Sequence, residues 1–202
     1  DTLKASLPVI YESWTDTRRL YAPNELSERI VREDVSVLVV EADFVFEEMF
    51  QSAGPLRFLG VCRNSVDHVD LESATRHGVV VVNTPGRNAQ AVAELTMGLV
   101  LSLARSIPQL DGYVKTGAWD NPVEPYISMR GIELNGKTLG LIGLGAVGSS
   151  VSTLAGAFGM RVMACDPYVD ARPGVTLAAL DEVLSASDVV SVHTSGSPDG
   201  AP

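Results

Sequence analysis

Three glycines, at 143, 145 and 148, stand in a G-x-G-x-x-G spacing directly behind the apolar run Thr138-Leu-Gly-Leu-Ile142. Such a run suits a buried parallel strand. The residues after it, Val147, Val151, Leu154, Ala155 and Phe158, recur on one face of a helix. The chemistry this supports is capture of a diphosphate. Gly143 makes the tight turn off the strand, Gly145 lets the phosphates approach the backbone, and Gly148 lets helix and strand pack closely. The first N–H groups of the helix have no internal partner and point at the anion, aided by the helix dipole. Alone the spacing is a weak signal, because glycine-rich strand–helix turns also occur where nothing binds. Asp166 strengthens it: it follows the next strand-like run, Arg161-Val-Met-Ala-Cys165, 18 residues after Gly148. A carboxylate there accepts hydrogen bonds from adenosine ribose hydroxyls and repels a 2′-phosphate, which predicts NAD and not NADP.

The elements that must position this corner alternate along the whole chain. Val35 to Val40, Leu56 to Val61 and Val79 to Val82 are short strand-like runs, the first expected to be buried on both faces. Between them lie a helix opened by Pro23-Asn24, with Asn24 as N-cap, a short helix from Glu47 to Ser52, and one from about Asp70 to Arg76 closed by Gly78. Leu7 to Tyr11 resembles a further short strand. A long helix follows, capped by Asn88 or Thr84, with Val92, Leu95, Leu99, Val100 and Leu103 as its apolar stripe and Gly112 and Gly117 near its end. A stripe of this kind is more often core than interface. Trp119 to Tyr126, with two prolines, reads as an irregular crossing segment. Leu177 to Leu184 reads as an amphipathic helix and Val189 to His193 as a strand, so three strands are visible in the second half. Alternating strands and helices imply parallel sheets with ligands at the carboxyl ends of strands, which puts the 62–67 loop and residues 83–86 on a candidate binding edge.

Composition bounds the function class. The 202 residues are 46% hydrophobic and 20% charged, with a net charge of −10. This argues against a broad nucleic-acid surface. No uninterrupted apolar run reaches the ~18–20 residues that span a bilayer. No charged-then-apolar leader opens the sequence, so the expected location is the cytoplasm, with no membrane partner. The two cysteines, Cys62 and Cys165, lack disulfide or metal spacing, and no metal is expected.

The run Val81-Val-Asn-Thr-Pro-Gly-Arg-Asn-Ala-Gln-Ala-Val-Ala-Glu-Leu-Thr96 closely resembles the D-isomer-specific 2-hydroxyacid dehydrogenases, in particular their phosphoglycerate dehydrogenase branch. Leu134 to Gly145, Ala157-Phe-Gly-Met160, Asp166-Pro-Tyr168 and Asp188-Val-Val-Ser-Val-His-Thr194 continue the match, which covers about residue 35 onward. The resemblance implies an α/β protein with two domains. Residues 1–100 would form a flavodoxin-like substrate domain lacking its first strand. Residues 101–202 would form the first half of a Rossmann-type, doubly wound parallel-sheet NAD domain. The implied activity is NAD-dependent hydride transfer at C2 of a D-2-hydroxy acid or its 2-oxo partner, in a homodimer.

Carried over by residue, Gly143, Leu144, Gly145, Ala146, Val147 and Gly148 would hold the pyrophosphate. Asp166, with Pro167 and Tyr168, would hold the adenosine ribose. Thr84 and Thr96 would lie toward the nicotinamide, His193 and Thr194 would line the cofactor from the next strand, and Cys62, Arg63, Asn64 and Ser65 would receive the substrate carboxylate. Two departures qualify this. The family's Arg-Ala-Gly-x-Gly is replaced by Val61-Cys-Arg-Asn-Ser65, so Arg63 is either a ligand for carboxylate or phosphate or a solvated loop arginine. No position matches the family's catalytic arginine, glutamate and histidine, which are expected beyond Pro202. His193 matches a cofactor-packing role and not an acid–base one. The competing expectation is a non-catalytic NAD-binding module, similar to the dehydrogenase-like corepressors.

Overall fold

A computed structural model describes residues 5–194, and the chain divides into two compact units, Asp1–Pro85 and Gly86–Pro202. The division lies earlier than the residue-100 boundary expected from sequence. The long helix belongs wholly to the second unit because its buried face packs there on the helix behind the glycine turn.

In the first unit a one-turn helix, α1 (Trp14–Thr17), precedes α2 (Pro23–Arg32), β1 (Val37–Val40), α3 (Glu47–Ser52), β2 (Phe58–Val61), α4 (Leu71–Arg76) and β3 (Val80–Asn83). The strands are parallel in the order β1-β2-β3. Alternation puts Val40, Leu59 and Val61 into a core with Ile30, Met49 and Leu56, while Val37, Val39, Val80 and Val82 face outward. The first strand is therefore buried on one face, not two. Residues 7–11 form no strand. Asn24 is not the cap of α2. Ala22 holds that position, and its N–H donates to Glu25 Oε2 at 3.1 Å. Asp70 does cap α4, accepting the Ser73 N–H at 2.8 Å.

The second unit begins with α5 (Ala89–Ala104) and α6 (Ile107–Lys115), which meet at a 63° bend. Ser106 breaks the helix there with φ 51, and Pro108 fits only the first turn of the next one. Asn88 stands at the start of α5 without a side-chain cap bond. Of the expected stripe on α5, Val100 lies on the core face and the three leucines do not. Ala89, Ala93, Met97, Val100 and Ala104 are buried, whereas Leu95, Leu99 and Leu103 are 64%, 57% and 80% exposed. Small side chains let α5 approach the helix behind the glycine turn closely and leave the leucines outside. α7 (Val123–Ser128) occupies part of the segment expected to be irregular.

Then come β4 (Thr138–Ile142), α8 (Ala146–Ala157), β5 (Arg161–Cys165), β6 (Val175–Leu177), α9 (Leu180–Ala186) and β7 (Val189–Val192). Among the described residues the sheet has four parallel strands, not three, in the order β6-β5-β4-β7. Leu177 lies in the extra strand and not in the following helix. Leu139, Leu141, Val151 and Ala155 are wholly buried between sheet and helices. Each truncation of such a leucine to alanine costs about 2–5 kcal/mol. Asp188 fastens β7 to β4, accepting the Thr138 N–H at 2.8 Å and Lys137 Nζ at 3.1 Å, and these donors hold its carboxyl below the usual range. Among the described residues no single helix is long and apolar enough to cross a membrane.

Candidate cofactor site

The chain runs from β4 outward through β5 to β6, then returns to place β7 on the other side of β4. Counted from β4, this is the 3-2-1-4 order of a dinucleotide-binding sheet, and the reversal beside β4 is where such sheets bind ligands, at the carboxyl ends of strands. The glycine turn lies at that point.

Each glycine has a distinct steric duty. Gly143 has φ 93, and a Cβ there would fall 2.7 Å from the His193 carbonyl oxygen. At Gly148 a Cβ would fall 2.2 Å from the Gly143 carbonyl oxygen, so helix and turn are in backbone contact. At Gly145 a Cβ would meet nothing within 4 Å. Gly145 and Ala146 are exposed, and among the described residues no side chain caps the start of α8. The corner is therefore open, with uncapped helix N–H groups facing the space above Gly145, as a diphosphate requires.

Asp166 points into this corner. Its Oδ2 accepts the Leu144 N–H at 2.6 Å, and its Oδ1 accepts the Tyr168 N–H at 2.9 Å. The Leu144 side chain is buried, and its carbonyl accepts the Ser149 hydroxyl at 2.9 Å. Pro167 and Tyr168 lie exposed beyond β5. From β7, the His193 N–H donates to the Ile142 carbonyl at 2.7 Å, and the ring Nε2 is 2.9 Å from Ser191 Oγ. Burial pushes the imidazole below its usual pKa, so it is neutral at pH 7. Thr194 Cγ2 lies 3.0 Å from where a Gly143 Cβ would stand. The structure thus gathers residues 143–148, 166–168, 193 and 194 around one strand end. Thr96 sits on α5 with its hydroxyl bonded to the Val92 carbonyl.

Gly86, expected from sequence on a candidate binding edge, lies against Ala146 at the start of α8. Its φ is 76, and a Cβ there would touch the Ala146 side chain at 3.5 Å. The Pro85-Gly86 turn dipeptide was the available signal. A separate hollow of about 680 Å³ opens at the amino ends of the strands, beside Thr138, Arg161 and Thr176. That is the wrong end of a parallel sheet for a dinucleotide.

In the first unit, the 62–65 loop leaves the carboxyl end of the central strand β2. The Arg63 carbonyl accepts the Thr84 N–H at 3.1 Å, and the Asn64 carbonyl accepts Asn83 Nδ2 at 2.6 Å. Ser65 Oγ accepts the Asp67 N–H at 3.1 Å. Cys62 is half-buried, Arg63 is exposed, and the Arg63 guanidinium forms no ion pair among the described residues. His68, behind the loop, has a buried Nε2 with no partner, and burial lowers its pKa, followed by Arg63. Among the described residues no cluster of metal-ligating side chains occurs.

Residues 97–201 match the family model described as D-isomer specific 2-hydroxyacid dehydrogenase, NAD binding domain. A putative 2-hydroxyacid dehydrogenase, YoaD, of Bacillus subtilis is 41% identical over 187 residues, covering 92% of this chain and 54% of that protein. D-3-phosphoglycerate dehydrogenase of Methanocaldococcus jannaschii is 38% identical over 180 residues, covering 86% and 33%. The crystal structure of D-lactate dehydrogenase from Aquifex aeolicus, complexed with NAD and lactic acid, superposes with a TM-score of 0.71 at 30% identity, covering 86% and 50%. The chain spans about half, or less, of the length of these relatives. Strand order, glycine turn, acidic partner and these likenesses agree: the chain belongs to the D-isomer specific 2-hydroxyacid dehydrogenase family and carries its NAD-binding domain.

Proposed function

We propose that the protein is an NAD-dependent oxidoreductase acting on the CH–OH group of a D-2-hydroxy acid, in the manner of the phosphoglycerate dehydrogenases. The observation that carries this is the uncapped start of α8 at the reversal point of the sheet, with Asp166 aimed at the same turn. The backbone N–H groups of Gly145, Ala146, Val147 and Gly148 take the diphosphate, and Asp166, flanked by Pro167 and Tyr168, takes the adenosine ribose. Neutral His193 and Thr194 pack along the cofactor from β7, with Thr84 and Thr96 toward its nicotinamide end. The nicotinamide gives or takes the hydride at C4, and substrate C2 is the other partner. Loop 62–65 receives the substrate carboxylate. The Arg63 and Asn64 carbonyls are bonded to Thr84 and Asn83, and the Cys62 N–H donates to the Val40 carbonyl, which leaves the N–H groups of residues 63–65 and the Arg63 guanidinium for an anion.

The substrate class is a small 2-hydroxy or 2-oxo acid, with 3-phosphoglycerate and glyoxylate-like acids the two kinds to compare. The working form is a cytoplasmic homodimer. Leu95, Leu99 and Leu103, with exposed Trp119, Tyr126 and Ile127 in the same unit, supply the apolar area that a second copy would cover. The test is direct. NADH fluorescence titration of residues 1–202 should saturate without turnover, and a protein that joins this chain to the family's catalytic arginine, glutamate and histidine should oxidise bound NADH with a 2-oxo acid from a panel. Saturable binding with no turnover of any 2-oxo acid by that joined protein would favour a regulatory NAD-binding module instead.

A further inference from the structure

The Asp166 carboxylate holds two backbone groups of the protein itself, one oxygen on each. Oδ2 takes the N–H of Leu144, the middle residue of the G-x-G turn, and Oδ1 takes the N–H of Tyr168 just past β5. On the other side of Leu144, its carbonyl is held by the Ser149 hydroxyl of α8. Both peptide groups flanking Leu144 are therefore fixed, and with them the direction of the N–H groups that follow. Bonds from backbone N–H to an ionised carboxylate are roughly twice as strong as neutral ones. Gly143, at φ 93, holds a left-handed conformation that favours glycine, and its own N–H is bonded to the Cys165 carbonyl at 2.9 Å.

We propose that Asp166 is a positioning residue for the diphosphate turn as well as the acceptor for the ribose, so that cradle geometry and sugar recognition share one carboxylate. This rests on the corner being the NAD site and goes beyond it. Removing the acid loosens the cradle even for a dinucleotide that has no ribose hydroxyls to offer. Deleting Asp166 to admit a 2′-phosphate therefore does not by itself produce tight NADP binding.

The test measures, by calorimetry on the whole protein, the affinity of wild type, Asp166→Ala and Asp166→Asn for NAD and for its 2′,3′-dideoxyadenosine analogue. The exchange rate of the Leu144 amide is followed in parallel without ligand. Asp166→Ala should weaken the dideoxy analogue about tenfold and speed the Leu144 exchange. Asp166→Asn retains one acceptor oxygen without charge and should lose about threefold. If the alanine variant does not fold, the asparagine variant decides on the same two readouts. Wild-type affinity for the analogue with unchanged exchange, all loss being confined to NAD, would overturn the positioning role. A wild type that fails to distinguish NAD from the analogue would overturn the ribose contact, while the variants' effect on the analogue still decides the positioning role.

Discussion

Alanine at Gly148 and alanine at Gly145 should fail in different ways, although both add one methyl group to the same turn. At position 148 the new carbon would stand 2.2 Å from the Gly143 carbonyl oxygen. An ordinary C···O approach is about 3.3 Å, so α8 must retreat by roughly 1 Å. The obstacle is backbone, and no side chain can swing away. Overpacking of this kind costs about 1–3 kcal/mol, or a fall in melting temperature of about 2–12 °C for a chain of this size. A cradle misplaced by 1 Å should also weaken NADH binding by about tenfold to a hundredfold. At position 145 the methyl meets nothing of the protein within 4 Å, and φ is −64. Stability should stay within about 0.5 kcal/mol of wild type or rise slightly through the unfolded state. NADH affinity should fall at least about tenfold, because the methyl occupies the space above the uncapped helix N–H groups. Thermal denaturation and NADH fluorescence titration of the two variants decide it. A Gly145→Ala protein that binds NADH as wild type does, or a Gly148→Ala protein that melts with wild type, would refute the steric assignment of the turn.

Three further outcomes follow from other parts of the molecule. Arg63→Ala should raise KM for the 2-oxo acid about tenfold or more while leaving the Kd for NADH unchanged, as steady-state kinetics and titration would report together. Leu99→Lys with Leu103→Glu should convert the proposed dimer into a monomer on light scattering without loss of folding, since both side chains lie outside the core of their unit. Burial lowers the pKa values of His68 and His193, so below about pH 6.5 the unfolded chain binds protons that the folded chain resists. Stability contributed by their neutral forms is thus present above pH 6.5 and declines as pH falls below it. Urea unfolding between pH 7.5 and 5.5 should show this, with a shallower slope in His193→Gln.

The corner proposed to bind the cofactor was legible because its chemistry is written in local spacing. Gly143, Gly145 and Gly148 lie within six residues, and Asp166 directly follows the short apolar run Val162-Met-Ala-Cys165. The strand order that makes this corner a switch point was not legible. β6 has only three residues, Val175–Leu177, and follows Pro173-Gly174, so its pattern is too short to separate from a turn. The buried face of α5 was misjudged for a different reason. That helix is apolar nearly all round, so periodicity cannot select a side, and close packing on α8 favoured alanines over leucines. The same packing moved the division between units from residue 100 to Pro85. At α2, the proline at position 23 fills the first helical position, which made Ala22 the boundary and Asn24 an interior residue.

The most direct measurement of the central claim is an amide chemical-shift titration of the isotopically labelled protein with NAD. The largest displacements should fall on the N–H groups of residues 144–148 and on Asp166 and Tyr168, with saturation at one equivalent. Displacements centred on Arg161, Met163 and Thr176 at the opposite end of the sheet, with residues 144–148 unmoved, would contradict it.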